Sequence, residues 1–235
     1  MAELRQVEKE NLSARVYGRI RRALIDGQFE PGERLRISAL AADLGTSITP
    51  VREAIFRLVS EQALEMKAAT AIHVPLIDAA RLKEIQLVRM ELEGAAAERA
   101  AERITDKQLK RLEALQAEFV EVAANPKKAS LKNRDFHFTL IEIAELPLLE
   151  SIVENMWTLM GPLLGVFHAT LSPREIAGQD HLHFEVLAAL RARDPQAARQ
   201  AIQQDIRLGL RMEEWLEQQA KAPPAKRKLA SFAAG

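Results

Sequence analysis

Apolar residues recur along most of the chain at the three- and four-residue spacing of helices that bury one face. Period-2 alternation, the mark of strands, surfaces only weakly between Ala63 and Pro75. A first helix carries Val16, Ile20 and Leu24 on one face, with Ser13 as its expected N-cap and Gly27 as its stop, and a turn follows at Pro31-Gly32. Residues 37 to 64, ISALAADLGTSITPVREAIFRLVSEQAL, read as two short amphipathic helices around a Gly-centred turn. Ser38 is the expected cap of the first, Leu40, Ala41 and Leu44 its stripe, and Gly45 its left-handed end. Thr49 is the expected cap of the second, with Pro50 at its first position. Ala54, Ile55, Leu58 and Val59 form its inner face, leaving Thr49, Arg52, Glu53 and Phe56 outward. Paired helices of this kind occur in many helical proteins. The helix before them and the short hairpin after them narrow the pattern to a winged helix-turn-helix.

Beyond a junction at Pro75 to Asp78 the pattern is almost wholly helical. Leu82, Ile85, Leu92, Ala95 and Ala96 make one stripe, Thr105-Asp106-Lys107-Gln108 is a capping box that opens a second helix, and Asn125-Pro126 is expected to close it. Further helices are expected at about 131 to 144, 148 to 167 and 181 to 193, and a sixth from Asp194-Pro195 to about Gln219. The expected fold class is therefore mainly α: an N-terminal winged helix-turn-helix and a C-terminal antiparallel all-helical bundle. The domains are placed at 1–76 and 77–220, with a disordered tail at 221–235.

Composition adds constraints rather than a function. The 235 residues carry 33 Lys and Arg against 33 Asp and Glu, are 48% hydrophobic, and include no cysteine. No disulfide framework is therefore available, and neither a signal-peptide pattern nor an apolar run of spanning length is present, so a cytoplasmic protein with no membrane partner is expected. Through Leu76 there are 11 Lys and Arg against 10 Asp and Glu, a net of +1, so any nucleic-acid footprint must be local, as in the cluster from Arg15 to Arg22.

Three ordered elements, LIDGQFEPGERL, LAADLG and TPVREAIFRL, make residues 13 to 76 resemble the winged helix-turn-helix of the GntR family of bacterial transcription regulators. The resemblance implies that Arg52 contacts DNA from the recognition helix and that Thr49 contacts phosphate, with Arg34, Arg36 and Arg22 as further phosphate candidates beside Arg15 and Arg19. The bland alternative for each is a solvated surface residue. Two departures stand out: Ile48 occupies a position where many relatives carry arginine, and Lys67-Ala68-Ala69-Thr70 replaces the usual polar, Gly-containing wing tip.

Residues 78 to 215 resemble the all-helical effector-binding FCD domain of the FadR-like branch, through VRMELEGAAAERAA, NRDFH and the run from His183. Asn133 and His137, four apart, share one helix face, as two ligands to one ion require. The resemblance implies a divalent metal, Zn, Ni, Mn or Co, held by Asn133, His137 and His183, with Asp205 standing where the last family histidine usually is. His181 and His168 are spare candidates, and a hydrogen-bonded core histidine is the plain alternative. It further implies a small carboxylate effector met by Arg89, unless Arg89 simply pairs with Glu93, and Trp157 and Phe167 either line that pocket or fill core.

The reading is a ligand-responsive regulator, in its usual form a repressor, that binds a palindromic double-stranded operator as a homodimer and is not an enzyme. The other classes are a helical metal-dependent enzyme or metabolite-binding protein, for which Glu142 and Glu185 are the acidic neighbours to watch, and an interaction scaffold. Neither HExxH spacing nor a nucleophile elbow is present.

Overall fold

A computed structural model of the chain describes residues 12–67, 71–178, 181–207 and 210–221. Of the expected wing tip at 67–70 and the expected tail at 221–235, Lys67 ends a strand and Lys221 ends a helix, and the rest lies outside the described residues. Helix α1 (Leu12–Ile25) is followed by β1 (Arg34–Leu35), α2 (Ile37–Asp43), α3 (Ile48–Ser60), β2 (Glu65–Lys67) and β3 (Ala71–His73). The three strands form one antiparallel sheet in the order β1-β3-β2, with Arg34 opposite His73 and Glu65 sharing that residue from the other side. Val16, Ile20 and Leu24 of α1 pack with Ala54, Ile55 and Leu58 of α3 and with Ile72 of the wing, as their spacing requires. The fold is mainly helical, with a winged helix-turn-helix at one end.

Several boundaries differ from expectation for a common reason. Ser13 lies inside α1, and its hydroxyl donates to the Glu53 carboxylate of α3 instead of capping its own helix. Arg36 and Ser47, not Ser38 and Thr49, occupy the cap positions of α2 and α3, and neither makes a side-chain cap bond. Pro50 is consequently the third residue of α3 rather than the first. Tertiary packing, not capping, fixes these short helices. Gly45 does take φ +62°, ending the first helix of the pair as expected.

The second part is built from α4 (Ala79–Arg103), α5 (Asp106–Glu121), α6 (Pro126–Ala144), α7 (Pro147–His168), the short α8 (Pro173–Ala177), α9 (His183–Ala192), α10 (Pro195–Arg207) and α11 (Leu210–Lys221). Asp78 caps α4 through the Arg81 amide, and the Thr105 capping box forms with Gln108. Asn125 caps α6 rather than closing α5, so α6 begins at Pro126, five residues before the expected start. The expected sixth helix is two described segments, α10 and α11. Helix α8, with its own Ser172 capping box, was not expected.

The two parts meet where α1 crosses α7. A Cβ on Gly161 would lie 2.4 Å from the Leu24 carbonyl oxygen and 2.5 Å from that of Ile25, so only glycine permits this approach. Ile25 and the junction residue Ile77 join the core around Trp157 and Met160. Arg21 bonds Glu154 at 2.7 Å and Asn155 at 2.6 Å on α7, and Arg134 of α6 meets Asp26 at 2.8 Å. Gly161→Ala is expected to force α1 away from α7 at a cost of about 1–3 kcal/mol. A lower thermal midpoint with earlier proteolytic separation of the two parts checks this; an unchanged midpoint contradicts it.

Candidate functional site

Three helices converge on one buried group of polar side chains. His137 lies on the inner face of α6, His183 is the first residue of α9, and Asp205 lies on α10. One potential ligand atom from each lies within 4.8 Å of the others. His137 Nε2 is 3.2 Å from Asp205 Oδ2, and His183 Nε2 is 3.8 Å from the same oxygen.

Their orientation is set from behind. The His137 Nδ1–H donates to Glu93 Oε2 at 2.7 Å, and the His183 Nδ1–H donates to Gln116 Oε1 at 2.7 Å. Phe136 stacks on the His183 ring at a centroid distance of 3.8 Å. This leaves His183 Nε2 a buried lone pair with no hydrogen-bond partner among the described residues. A buried, unsatisfied imidazole nitrogen aimed at a carboxylate and a second imidazole is a donor set suited to a divalent cation. Tetrahedral zinc ligand atoms stand roughly 3.4 Å apart, so these groups need only draw in slightly.

The charges fit that arrangement. Burial works against ionisation of Asp205, but His183 and His137 outweigh it and hold its carboxyl well below the usual range. Burial likewise opposes the charged form of Glu93, and Arg89 and His137 overcome it. His137 is buried too, yet Glu93 and Asp205 raise its pKa. Burial drives that of His183 well down.

A cavity of about 120 Å³ opens beside the cluster, lined by Asn133, His137, Asp205, Arg89, Met160, Phe167 and His168 among others. Asn133 is half-buried, with no side-chain hydrogen bond among the described residues, so its amide is available to the same space. His181 lies 4.0 Å from Asp205 and accepts the His183 amide at Nδ1. His168 lines the same cavity, with its Nδ1 on Ser130.

Arg89 does pair with Glu93, at 2.6 Å, and its guanidinium lies over the Trp157 ring at 4.3 Å. It nevertheless lines the cavity, as does Phe167, whereas Trp157 is fully buried behind it. Glu142 and Glu185 are exposed, and Glu142 pairs with Arg111. The acid behind the cluster is Glu93, which orients His137, and Gln116 orients His183. The i,i+4 spacing of Arg89 and Glu93 signalled the first pair; nothing in the local pattern marked Gln116.

At the other end, Thr49, Arg52, Glu53 and Phe56 all stand exposed on α3. Arg34, on β1, and Arg36, at the cap of α2, are exposed beside them in sequence, and none of the three arginines makes an ion pair among the described residues. Arg22 is placed differently. It pairs with Asp26, which also meets Arg134, and borders a groove formed with Arg111 and Glu154 of the helical part.

The model of the gntR family of bacterial regulatory proteins matches residues 12–74, and that of the FCD domain matches residues 84–208. The HTH-type transcriptional regulator McbR of Escherichia coli K12 is 33% identical over 194 residues, covering 82% of this chain and 88% of McbR. The chain belongs to the GntR family, with an FCD domain. Two further relatives of this GntR regulator are the Nta operon transcriptional regulator of Aminobacter aminovorans, 29% identical over 72% of this chain and 80% of the relative, and the transcriptional repressor RspR of E. coli, 25% identical over 83% and 86%. The solved structure of E. coli McbR/YncC superposes with a TM-score of 0.80 at 31% identity, covering 92% of this chain and all of that one. The GntR regulator is thus a DNA-binding transcription regulator whose helical part carries a possible His and Asp metal site.

His168 gives the GntR protein a pH signature that burial dominates. Burial, then the neighbouring His181, lowers its pKa to about 4. The unfolded chain therefore takes up this proton first as pH falls, so stability present above pH 6.5 is lost progressively down to about pH 4. In protein stripped of divalent cations, His168→Gln is expected to remove up to about 1.4 kcal/mol per pH unit from that slope. Denaturant unfolding between pH 7 and 4.5 measures it, and parallel slopes for the two proteins rule it out.

Proposed function

We propose that the protein is a repressor, acting as a homodimer in the bacterial cytoplasm, that releases a palindromic operator when a small carboxylate enters the helical cavity. One observation carries the DNA-binding half: the outer face of α3 presents Thr49 and Arg52 to solvent, with no ion partner for Arg52 among the described residues. A free guanidinium at the start of a recognition helix can pair bidentately with guanine or clamp phosphate. Thr49, Arg34 and Arg36 supply phosphate contacts. A single recognition helix reads too few base pairs for useful specificity, which calls for two copies on a two-fold site. Arg22, engaged with Asp26, has the weaker claim to a phosphate and serves the seam between the two parts.

In the helical part, His137, His183 and Asp205 hold a divalent cation of the Zn, Ni, Mn or Co class, with Asn133 as a weak fourth ligand. The cation supplies positive charge and open positions for a carboxylate, and Arg89 offers its guanidinium to the same anion. The name of RspR, a repressor, supports the sign of the response.

Selection of a random duplex library by the full chain at near-physiological salt tests the first half. A two-fold-symmetric site is expected, and Arg52→Ala should weaken binding to it about 10- to 100-fold. Enrichment of no sequence, or no loss in the variant, refutes the assignment. For the second half, Glu93→Gln should weaken zinc binding about 10- to 100-fold in titration calorimetry, because it removes the carboxylate behind His137. Zinc affinity unchanged in that folded variant would place the metal elsewhere.

A further inference from the structure

His168 is the cavity residue whose role is not explained by the metal cluster. It closes α7, is buried, and contacts Ser130 Oγ through Nδ1 at 2.8 Å. The Ser130 hydroxyl also donates to the Pro126 carbonyl at 2.9 Å. A hydroxyl has one hydrogen. Both contacts are satisfied together only when Ser130 gives its proton to Pro126 and His168 donates its own Nδ1–H to Ser130. That fixes the tautomer and leaves Nε2 a lone pair. Ser130 is not among the cavity-lining residues whereas His168 is, and Nε2 of His168, unlike that of His183, is not fully enclosed by protein atoms, which puts that edge toward the cavity. Among the described residues nothing donates to that nitrogen.

We infer that His168 is a specificity-determining residue whose Nε2 accepts a hydroxyl hydrogen from the effector, so that the effector is a hydroxycarboxylic acid rather than a simple carboxylate. This rests on the reading of the cavity as a carboxylate site. The imidazole stays neutral above about pH 4, so it offers an acceptor and no charge to a ligand at physiological pH. A carboxylate needs donors, which Arg89 provides. His168 can only receive, and a hydroxyl is the group on a small acid that can give. The modest cavity favours a short acid. An acid without the hydroxyl would leave Nε2 buried and unsatisfied, which is where discrimination against it arises.

The test is titration calorimetry of the full chain with matched acids, glycolate against acetate, lactate against propionate and malate against succinate, in zinc-loaded and in chelator-treated protein. The hydroxylated member of at least one pair is expected to bind at least fivefold more tightly, and His168→Leu is expected to reduce that preference without weakening the binding of the unhydroxylated partner, which no longer leaves an acceptor unsatisfied. Chelation of a metal by the hydroxyl would favour the same acids equally in both proteins, so an equal preference in wild type and variant overturns the inference. If the acids bind with no preference for the hydroxyl, the role of His168 is refuted and the carboxylate pocket stands. Failure of every acid to bind removes the pocket and the inference together. Ser130→Ala, which keeps His168 but releases its tautomer, serves if His168→Leu does not fold: a reduced preference supports the assignment, and an unchanged one overturns it.

Discussion

A single buried carboxylate organises the helical part of this protein. Glu93 on α4 accepts from Arg89, from the Trp157 indole of α7 at 3.1 Å and from His137 of α6. An ionised carboxylate without partners would be far too costly at such a depth, so the three donors and the three helices that carry them are tied to it together. The same contacts fix the Arg89 side chain against the Trp157 face and set the His137 ring so that Nε2 points at Asp205. Arg89 and His137, on opposite sides of Glu93, are thereby delivered to one cavity from one anchor.

Helix α7 is a wall shared by both parts. Met160, Leu164, Phe167 and His168 face the cavity, while Gly161 and Glu154 hold α1 of the winged helix-turn-helix. Residues 160 and 161 are adjacent, so contact with a ligand and contact with α1 lie on neighbouring positions of one rigid element. Because Gly161 allows backbone to touch backbone, displacement of α7 passes to α1 without a soft side chain between them. A ligand shifts the balance of arrangements only through unequal affinity for them, and the α7 wall is where such inequality meets the DNA-binding part.

Helical periodicity made the architecture legible, including α1, the paired α2 and α3, the hairpin and the long helices, because each buries one face. What eluded the sequence were short-range competitions. Ser13, Ser38 and Thr49 are good capping residue types, yet packing of the apolar faces set the helix starts elsewhere. β1 is two residues long and exists only because β3 lies beside it, a long-range pairing without a local pattern. At the site, His137, His183 and Asp205 were legible as family positions and do come together. Gln116 and the acceptor edge of His168 were not, since each is defined by a partner distant in sequence, His183 for one and Ser130 for the other.

If the histidine and carboxylate cluster holds a metal as proposed, one position there serves two cations. Without a metal, the raised pKa of His137 favours the form that donates at both edges, to Glu93 and to Asp205, and whose charge offsets two buried carboxylates. A divalent ion bound at Nε2 would displace that proton, keep the Nδ1–H on Glu93, and bring the unsatisfied His183 nitrogen into use. Proton and metal therefore compete for the same edge of one ring. The buried charge of Asp205 favours either cation over none, because it must be neutralised by one of them.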